Sequence, residues 1–378
     1  MNGKEKNCCA KKTSIGGQAL MEGIMMRGPE LTAMAVRNTD GEIIVEDFPT
    51  ETKKRSEFVK LPVIRGVFNY IDAMVLGTKC LMRSAEIAGL EDAEQEIKKE
   101  KEAKKAARTA KKKKNLTVAS DDTQTQTLND AALSPDEASV SEKNDNQKDE
   151  KKQSSFFMGA LMFFSVFLGI CFSVALFIIV PSFLYGLASS FIPFLKPDDL
   201  AMQSLIKSIF EGVLKIVILV GYMSAISLMK DIKRTFMYHG AEHKAIFCYE
   251  RGLELTVENV KAQKRFHPRC GTSFLILMLI VGIFVSFFID PLFLAIFGYL
   301  PITIIRVLIK LLLLPLIVGV GYELIKLAGR YDNWFTRLIS TPGVWLQHIT
   351  TKEPDDQMIE CAIVALQKVI PNNDSDNW

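Results

Sequence analysis

The chain has 378 residues, 48% of them hydrophobic and 24% charged, with a formal net charge of +3. So small an excess gives no electrostatic case for nucleic acid as a partner, and none is expected. Seven cysteines, an odd number without disulfide-framework spacing, exclude a disulfide scaffold and fit a reducing compartment.

High apolar and high charged content coexist because they are segregated along the chain. Residues 156–195 carry no charge, and about 20 apolar residues already cross the hydrocarbon core of a bilayer as a helix. The sequence therefore predicts a mainly α, polytopic membrane helix bundle of about four spans. A small N-terminal segment with a β-hairpin and a C-terminal amphipathic helix complete it.

Residues 1–13 read as a disordered, basic leader with two free thiols, Cys8 and Cys9. They lack the apolar core of a secretory signal, so the N-terminus is expected to stay on the side of synthesis. Residues 14–90 form a small cytoplasmic segment. Its opening, SIGGQALMEGIMMRGPE, is punctuated by Gly16, Gly17, Gly23 and Gly28-Pro29, which predicts tight turns. Two β-prone runs follow, Ala33 to Val36 and Glu42 to Phe48, and Asp40-Gly41 between them suits a hairpin turn. After Pro62, Val67, Tyr70, Ile71, Met74, Val75, Leu81 and Met82 recur at helical spacing among charges, as in a helix lying on the membrane or on the bundle. Residues 91–155 have no aromatic residue and a lysine run, the composition of a disordered linker.

The first two spans lie in 156–229. The first is expected from about Phe156 to Val180, stopped or kinked at Pro181, with the remainder to Leu195 re-entering or interfacial; the second covers about Ser204 to Met229. Lys207, Glu211 and Lys215 share one face of that second helix, either toward a polar interior or snorkelling at the outer interface. The last two spans, in 273–328, run from about Ser273 to Phe297 and Ile302 to Ala328. Lys and Arg crowd the 230–272 loop and are sparse around Lys196 and Pro301, which puts that loop and both termini on the cytoplasmic face of the cell membrane. In the tail, 329–378, EPDDQMIECAIVALQKVI reads as a capped amphipathic helix with Ile359, Ile363, Leu366 and Ile370 on one face.

The chemistry-bearing stretch is YHGAEHKAIFCYER, in the cytoplasmic loop. His239 and His243 stand four apart, about 40° around a helix and one turn along it, so both imidazoles reach one metal. Glu242, beside the second histidine, can take a proton from a water that a metal acidifies to a pKa near 7. The order HxxEH is that of the inverzincins, although those are soluble proteases and a motif does not carry a fold. The competing reading is a histidine pair that caps or packs at the membrane surface. Gly240 weakens the helix by about 1 kcal/mol relative to Ala, and with Ala241 it lets another segment approach closely.

RFHPRCGTSF opens the third span on the same face. His267 or Cys270 could complete a three-ligand zinc site; Cys270 could be a nucleophile with His267 as base; Arg269 and the helix start, capped by Thr272 or Ser273, could hold an anion. Glu323 in the fourth span is a further acid, with Lys326 as a structural partner. His348 is isolated.

GGQALMEGIMMRGPE, YHGAEHKAI, HPRCGTSF and EPDDQMIECAI, in this order around a helical membrane region, resemble the YqhQ family of bacterial membrane proteins. That family is regarded as one of predicted metal-dependent enzymes of unknown reaction. The resemblance supports His239, Glu242, His243, His267 and Cys270 as the site and adds Glu22 and Arg27. The expected protein is a membrane enzyme with one divalent ion, most simply zinc, which hydrolyses an anionic or membrane-associated substrate at the bilayer. The alternative is a non-catalytic scaffold, assembly factor or small transporter with a metal clasp between spans.

Overall fold

The computed structural model describes residues 11–50, 56–89, 164–331 and 333–377. Residues 1–10, with Cys8 and Cys9, and the linker read at 91–155 lie outside the described residues. Contacts divide the chain into two units, Met1–Glu91 with Phe177–Trp378, and Asp92–Leu176.

Four antiparallel strands, β1 (Gly16–Leu20), β2 (Gly23–Arg27), β3 (Leu31–Arg37) and β4 (Ile43–Pro49), form one sheet in sequential order. The β3–β4 hairpin is the one expected, with Gly41 at φ 87° in its turn. The first two strands replace the tight turns expected for the glycine-rich opening. Leu20 pairs with Gly23 across Met21 and Glu22, and Glu22 takes a φ of 51°, which costs an L-residue about 1 kcal/mol. Gly23 is needed because a Cβ there would strike the backbone of Ala35 and Val36 on β3. Both sheet faces are covered. Ile24, Met26, Ala33 and Ala35 face one buried cluster with Met358, Ile359 and Leu366; Leu20, Met25, Met34 and Val36 face a second with Cys80. Successive side chains point to opposite faces, so burial on both produces continuous apolar runs with no alternation to read.

Helix α1 (Ile64–Ile87) contributes Cys80 to that second cluster and packs against a span. Its Gly66 lies against Gly319 and Tyr322, the small-residue contact that lets helices approach. Helix α1 thus packs on the bundle while leaving Phe68, Ile71, Met74, Val75 and Met82 exposed.

Among the described residues, four helices are long and apolar enough to cross a membrane: α2 (Phe164–Phe191), α3 (Leu200–Ile226), α5 (Gly271–Phe297) and α6, whose apolar stretch is Ile304–Arg330 within a helix over Thr303–Arg330. Their apolar side chains point outward, as Phe183 at 68% and Leu312 at 80% exposure show. Helix α2 does not stop at Pro181. A π-helical stretch, Ala175–Ile179, immediately precedes it, and such a bulge absorbs a proline inside a helix. The helix thus continues to Phe191, where re-entry or an interfacial segment was expected. Glu211 faces the polar interior: its carboxylate lies 3.8 Å from Lys207, 3.9 Å from Lys215 and 3.7 Å from Lys310 of α6. Asp290 and Arg306 form a second buried pair, at 2.8 and 2.7 Å.

Outside the spans, α4 (Lys230–Glu250), α7 (Trp334–Thr350) and α8 (Asp356–Val369) complete the body. A short helix, Val257–Lys261, forms in the loop after α4, capped by Thr256. The expected C-terminal amphipathic helix is α8. Asp355 caps it, and its apolar face packs on β2, β3 and α4. The leader read over residues 1–13 enters the fold at its end: Thr13 is buried, and its Oγ1 donates to Asp376 at 2.7 Å.

Candidate functional site

Helix α4 is built to be approached closely. A Cβ on Gly240 would collide with the Lys352 carbonyl oxygen, and the Lys352 amide donates to the Phe236 carbonyl at 2.8 Å. The contact that Gly240 was expected to permit is therefore made by the segment between α7 and α8. On the other side, a Cβ on Gly17 would come within 2.9 Å of the Glu242 side chain. The glycine-rich opening thus lies against the HxxEH helix.

That frame fixes both imidazoles. His239 Nδ1 lies 2.8 Å from the Thr350 carbonyl oxygen, and His243 Nδ1 lies 2.5 Å from that of Arg265. A carbonyl oxygen only accepts, so each Nδ1 carries the proton and each Nε2 is left as the functional atom. His239 Nε2 lies 3.0 Å from Cys270 Sγ. Among the described residues, His243 Nε2 is buried with no hydrogen-bond partner, an omission that native interiors rarely tolerate. One atom from each of His239, His243 and Cys270 falls within 4.8 Å of the others, and all three residues are buried.

Burial opposes charge on either member of the His239–Cys270 pair, yet their mutual attraction prevails. The Cys270 thiol is held well below its ordinary range, also by His243, and His239 is raised to about 9. The pair is thus an imidazolium beside a thiolate; loss of one proton leaves two ligand atoms. Glu242 is buried as well. Burial pushes its pKa up, against the pull of His239, His243 and the Gly17 amide, which suits a carboxylate that is to accept a proton.

Cys270 is itself the N-cap of α5, with Sγ accepting from the Thr272 amide at 3.4 Å. Thr272 or Ser273 was expected there; Gly271 already begins the helix.

The other candidates stand outside the three-residue cluster. His267, one of the ligands read from the sequence, turns its ring to Glu250, with Nε2 3.6 Å from Oε2, while its Nδ1 accepts from the Arg269 amide at 3.3 Å. Gln347 clamps the His267 backbone amide and carbonyl, each at 2.7 Å. Burial lowers the pKa of His267, and Cys270 has His239, not His267, as its imidazole neighbour. Arg269 pairs with Glu250, whose pKa stays low despite burial because His267 and Arg269 favour its charge. Glu323 is engaged by Arg65 of α1 at 2.7 and 2.5 Å, instead of by Lys326. Glu22 binds Arg234 and the Tyr238 hydroxyl on the first turns of α4. Among the described residues, no hydrogen bond or ion pair joins Arg27 to the cluster. His348 stacks on Phe266, apart from the cluster.

Sequence reasoning missed Glu250, Gln347 and the carbonyls of Thr350 and Arg265. A backbone carbonyl leaves no side-chain signal, and Gln347 is legible only once α7 is known to pack on α5.

Fold and cluster together define a polytopic α-helical protein of membrane type, whose capping α/β body meets the spans at a buried His–His–Cys cluster. The chain belongs to the family described as Protein of unknown function (DUF1385), whose profile matches residues 61–372. It is also 33% identical over 361 residues, 94% of this chain and 92% of the relative, to "Uncharacterized protein YqhQ" of Bacillus subtilis (strain 168). The resemblance read from the four motifs is borne out. No solved structure matches the chain.

Proposed function

We propose that His239, His243 and Cys270 hold one divalent ion, most simply zinc, in a hydrolase acting at the cytoplasmic face of the cell membrane. One observation carries this reading: the buried Nε2 of His243 has no partner among the described residues, while both histidines anchor Nδ1 on a carbonyl. Ligating histidines characteristically hold the second nitrogen in this way, and two histidines with one cysteine leave a zinc coordination position open. A bound ion would supply Lewis acidity and a water of lowered pKa.

The chain's own residues supply the rest. Glu242 takes the proton of the attacking water and can return it to the leaving group of an amide, ester or phosphoester. Arg265 and Thr350 orient the imidazoles through their carbonyls. The basic loops favour an orientation with both termini inside.

A second reading, a non-catalytic metal clasp, also has support, since the ligands join α4 of the body to the head of span α5. Cobalt substitution tests both. A thiolate-to-cobalt absorption band lost in Cys270→Ser supports the metal site, and its absence from wild type would refute it. Glu242→Gln should retain the band and lose at least about 10²-fold in hydrolysis; full hydrolytic activity in that variant would refute Glu242 as the base.

A further inference from the structure

Helix α7 begins at Trp334, shortly after span α6 ends at Arg330, and even a fully extended connection keeps its first residue within about 14 Å of the span's last. Asn333 closes that connection as N-cap, in a capping box with Thr336. Further along α7, a Cβ on Gly343 would strike Ser273 in the first turn of span α5. Spans α5 and α6 are consecutive and pack together, which puts the start of one and the end of the other on the same face of the bilayer. Two points on α7 are held at that face, so the helix axis runs along it.

The α7 sequence divides around this axis. Trp334, Trp345, Leu338, Ile349, Pro342 and Phe335 fall in that order within an arc of about 100°. Trp334 is 77% exposed and Trp345 53%, and Leu338 and Phe335 are exposed beside them. The flank carrying Thr341 and His348 turns to the body instead: both line a cavity with Glu250 and His267, which Trp345 borders near the edge of the arc, and His348 stacks on Phe266. The rest of the apolar arc points away from the body. Two of the chain's three tryptophans lie on it, and tryptophan concentrates where bilayer meets water.

We propose that α7 lies in the plane of the membrane, with this arc sunk into the boundary between headgroups and acyl chains around the start of α5 and the end of α6. An amphipathic helix so placed buries its apolar face about 5–10 Å into that boundary, with Trp, Phe and Leu on the buried side. A bilayer has to surround the spans at this level, which makes lipid the occupant of the arc. The same helix carries the Thr350 carbonyl that orients His239 and the Gln347 amide that clamps His267. Its seat in the leaflet therefore holds the His–His–Cys cluster at the membrane surface.

The test uses the full chain in phospholipid nanodiscs, with Cys8, Cys9 and Cys171 replaced by serine and the buried Cys80, Cys248, Cys270 and Cys361 left in place. A nitroxide is attached through Leu338→Cys on the arc or through Thr341→Cys on the polar flank. Oxygen, which concentrates among acyl chains, should relax the label at position 338 more strongly than a water-soluble nickel chelate does, and the order should reverse at position 341. Stronger relaxation by the chelate at 338 overturns the proposal by placing the arc in water; weak relaxation by both reagents overturns it by placing the arc under protein. A measurement without labels guards against a misfolded variant. Lipids brominated near the headgroup should quench wild-type tryptophan emission, and most of the quenchable emission should vanish in Trp334→Phe with Trp345→Phe. Quenchable emission left unchanged by the two substitutions also overturns the proposal.

Discussion

His239 Nε2 lies 3.0 Å from the sulfur of Cys270, a residue 31 positions further along the chain. The contact joins the middle of α4 to the N-cap of span α5, and a third helix sets its geometry, because the Thr350 carbonyl at the end of α7 fixes the ring through Nδ1. Three helices therefore converge on one imidazole, and disturbing any of them should register at the cluster.

Gly240→Ala tests that convergence. Helix propensity alone would make the substitution stabilising by about 1 kcal/mol. The added methyl meets the Lys352 carbonyl, so the expected outcome is a loss of about 1–3 kcal/mol, seen as a lower midpoint in detergent unfolding. A raised midpoint would show that the 351–355 segment does not press on α4.

Glu323→Ala should leave metal content unchanged, because that carboxylate is engaged by Arg65 of α1. The pair is partly exposed, so its loss should cost only about 1 kcal/mol. Elemental analysis of the variant checks this. Reduced metal would place Glu323 in the ligand set.

Lys11 and Thr13 meet the C-terminal segment at Asp376, which pairs with Lys11 at 2.9 Å and accepts from Thr13 and Tyr249. Burial pushes its pKa up, but Lys11 and these hydrogen bonds outweigh that and leave it below the ordinary aspartate value. A depressed carboxylate contributes stability above its unfolded pKa, about 3.9, and that contribution is lost as pH falls through the lower folded value. The stability difference between wild type and Asp376→Asn should thus be full at pH 6 and shrink below about pH 4. A difference that grows on acidification would contradict this assignment.

Much of the architecture was legible because it follows from local rules. Asp40-Gly41 announced the β3–β4 hairpin, apolar length announced the spans, and i, i+4 spacing announced the His239–His243 pair. What escaped reading depends on tertiary contact. Strand β2 is buried on both faces, so it shows continuous apolar residues where alternation was sought, and β1 opens on two glycines that read as a turn. His267 and Cys270 looked equivalent as ligands three residues apart. Only the fold shows that Glu250 and Gln347 hold His267 while Cys270 turns toward His239. Glu323 was matched to its near neighbour Lys326 because its actual partner, Arg65, lies 258 positions away in sequence.

The central claim is most directly tested by the metal content of the purified full-length protein beside His239→Ala with His243→Ala. The account predicts about one divalent ion per chain in wild type, zinc first among them, and its loss from the double variant with the fold retained by circular dichroism. Equal, substoichiometric metal in both proteins would contradict it.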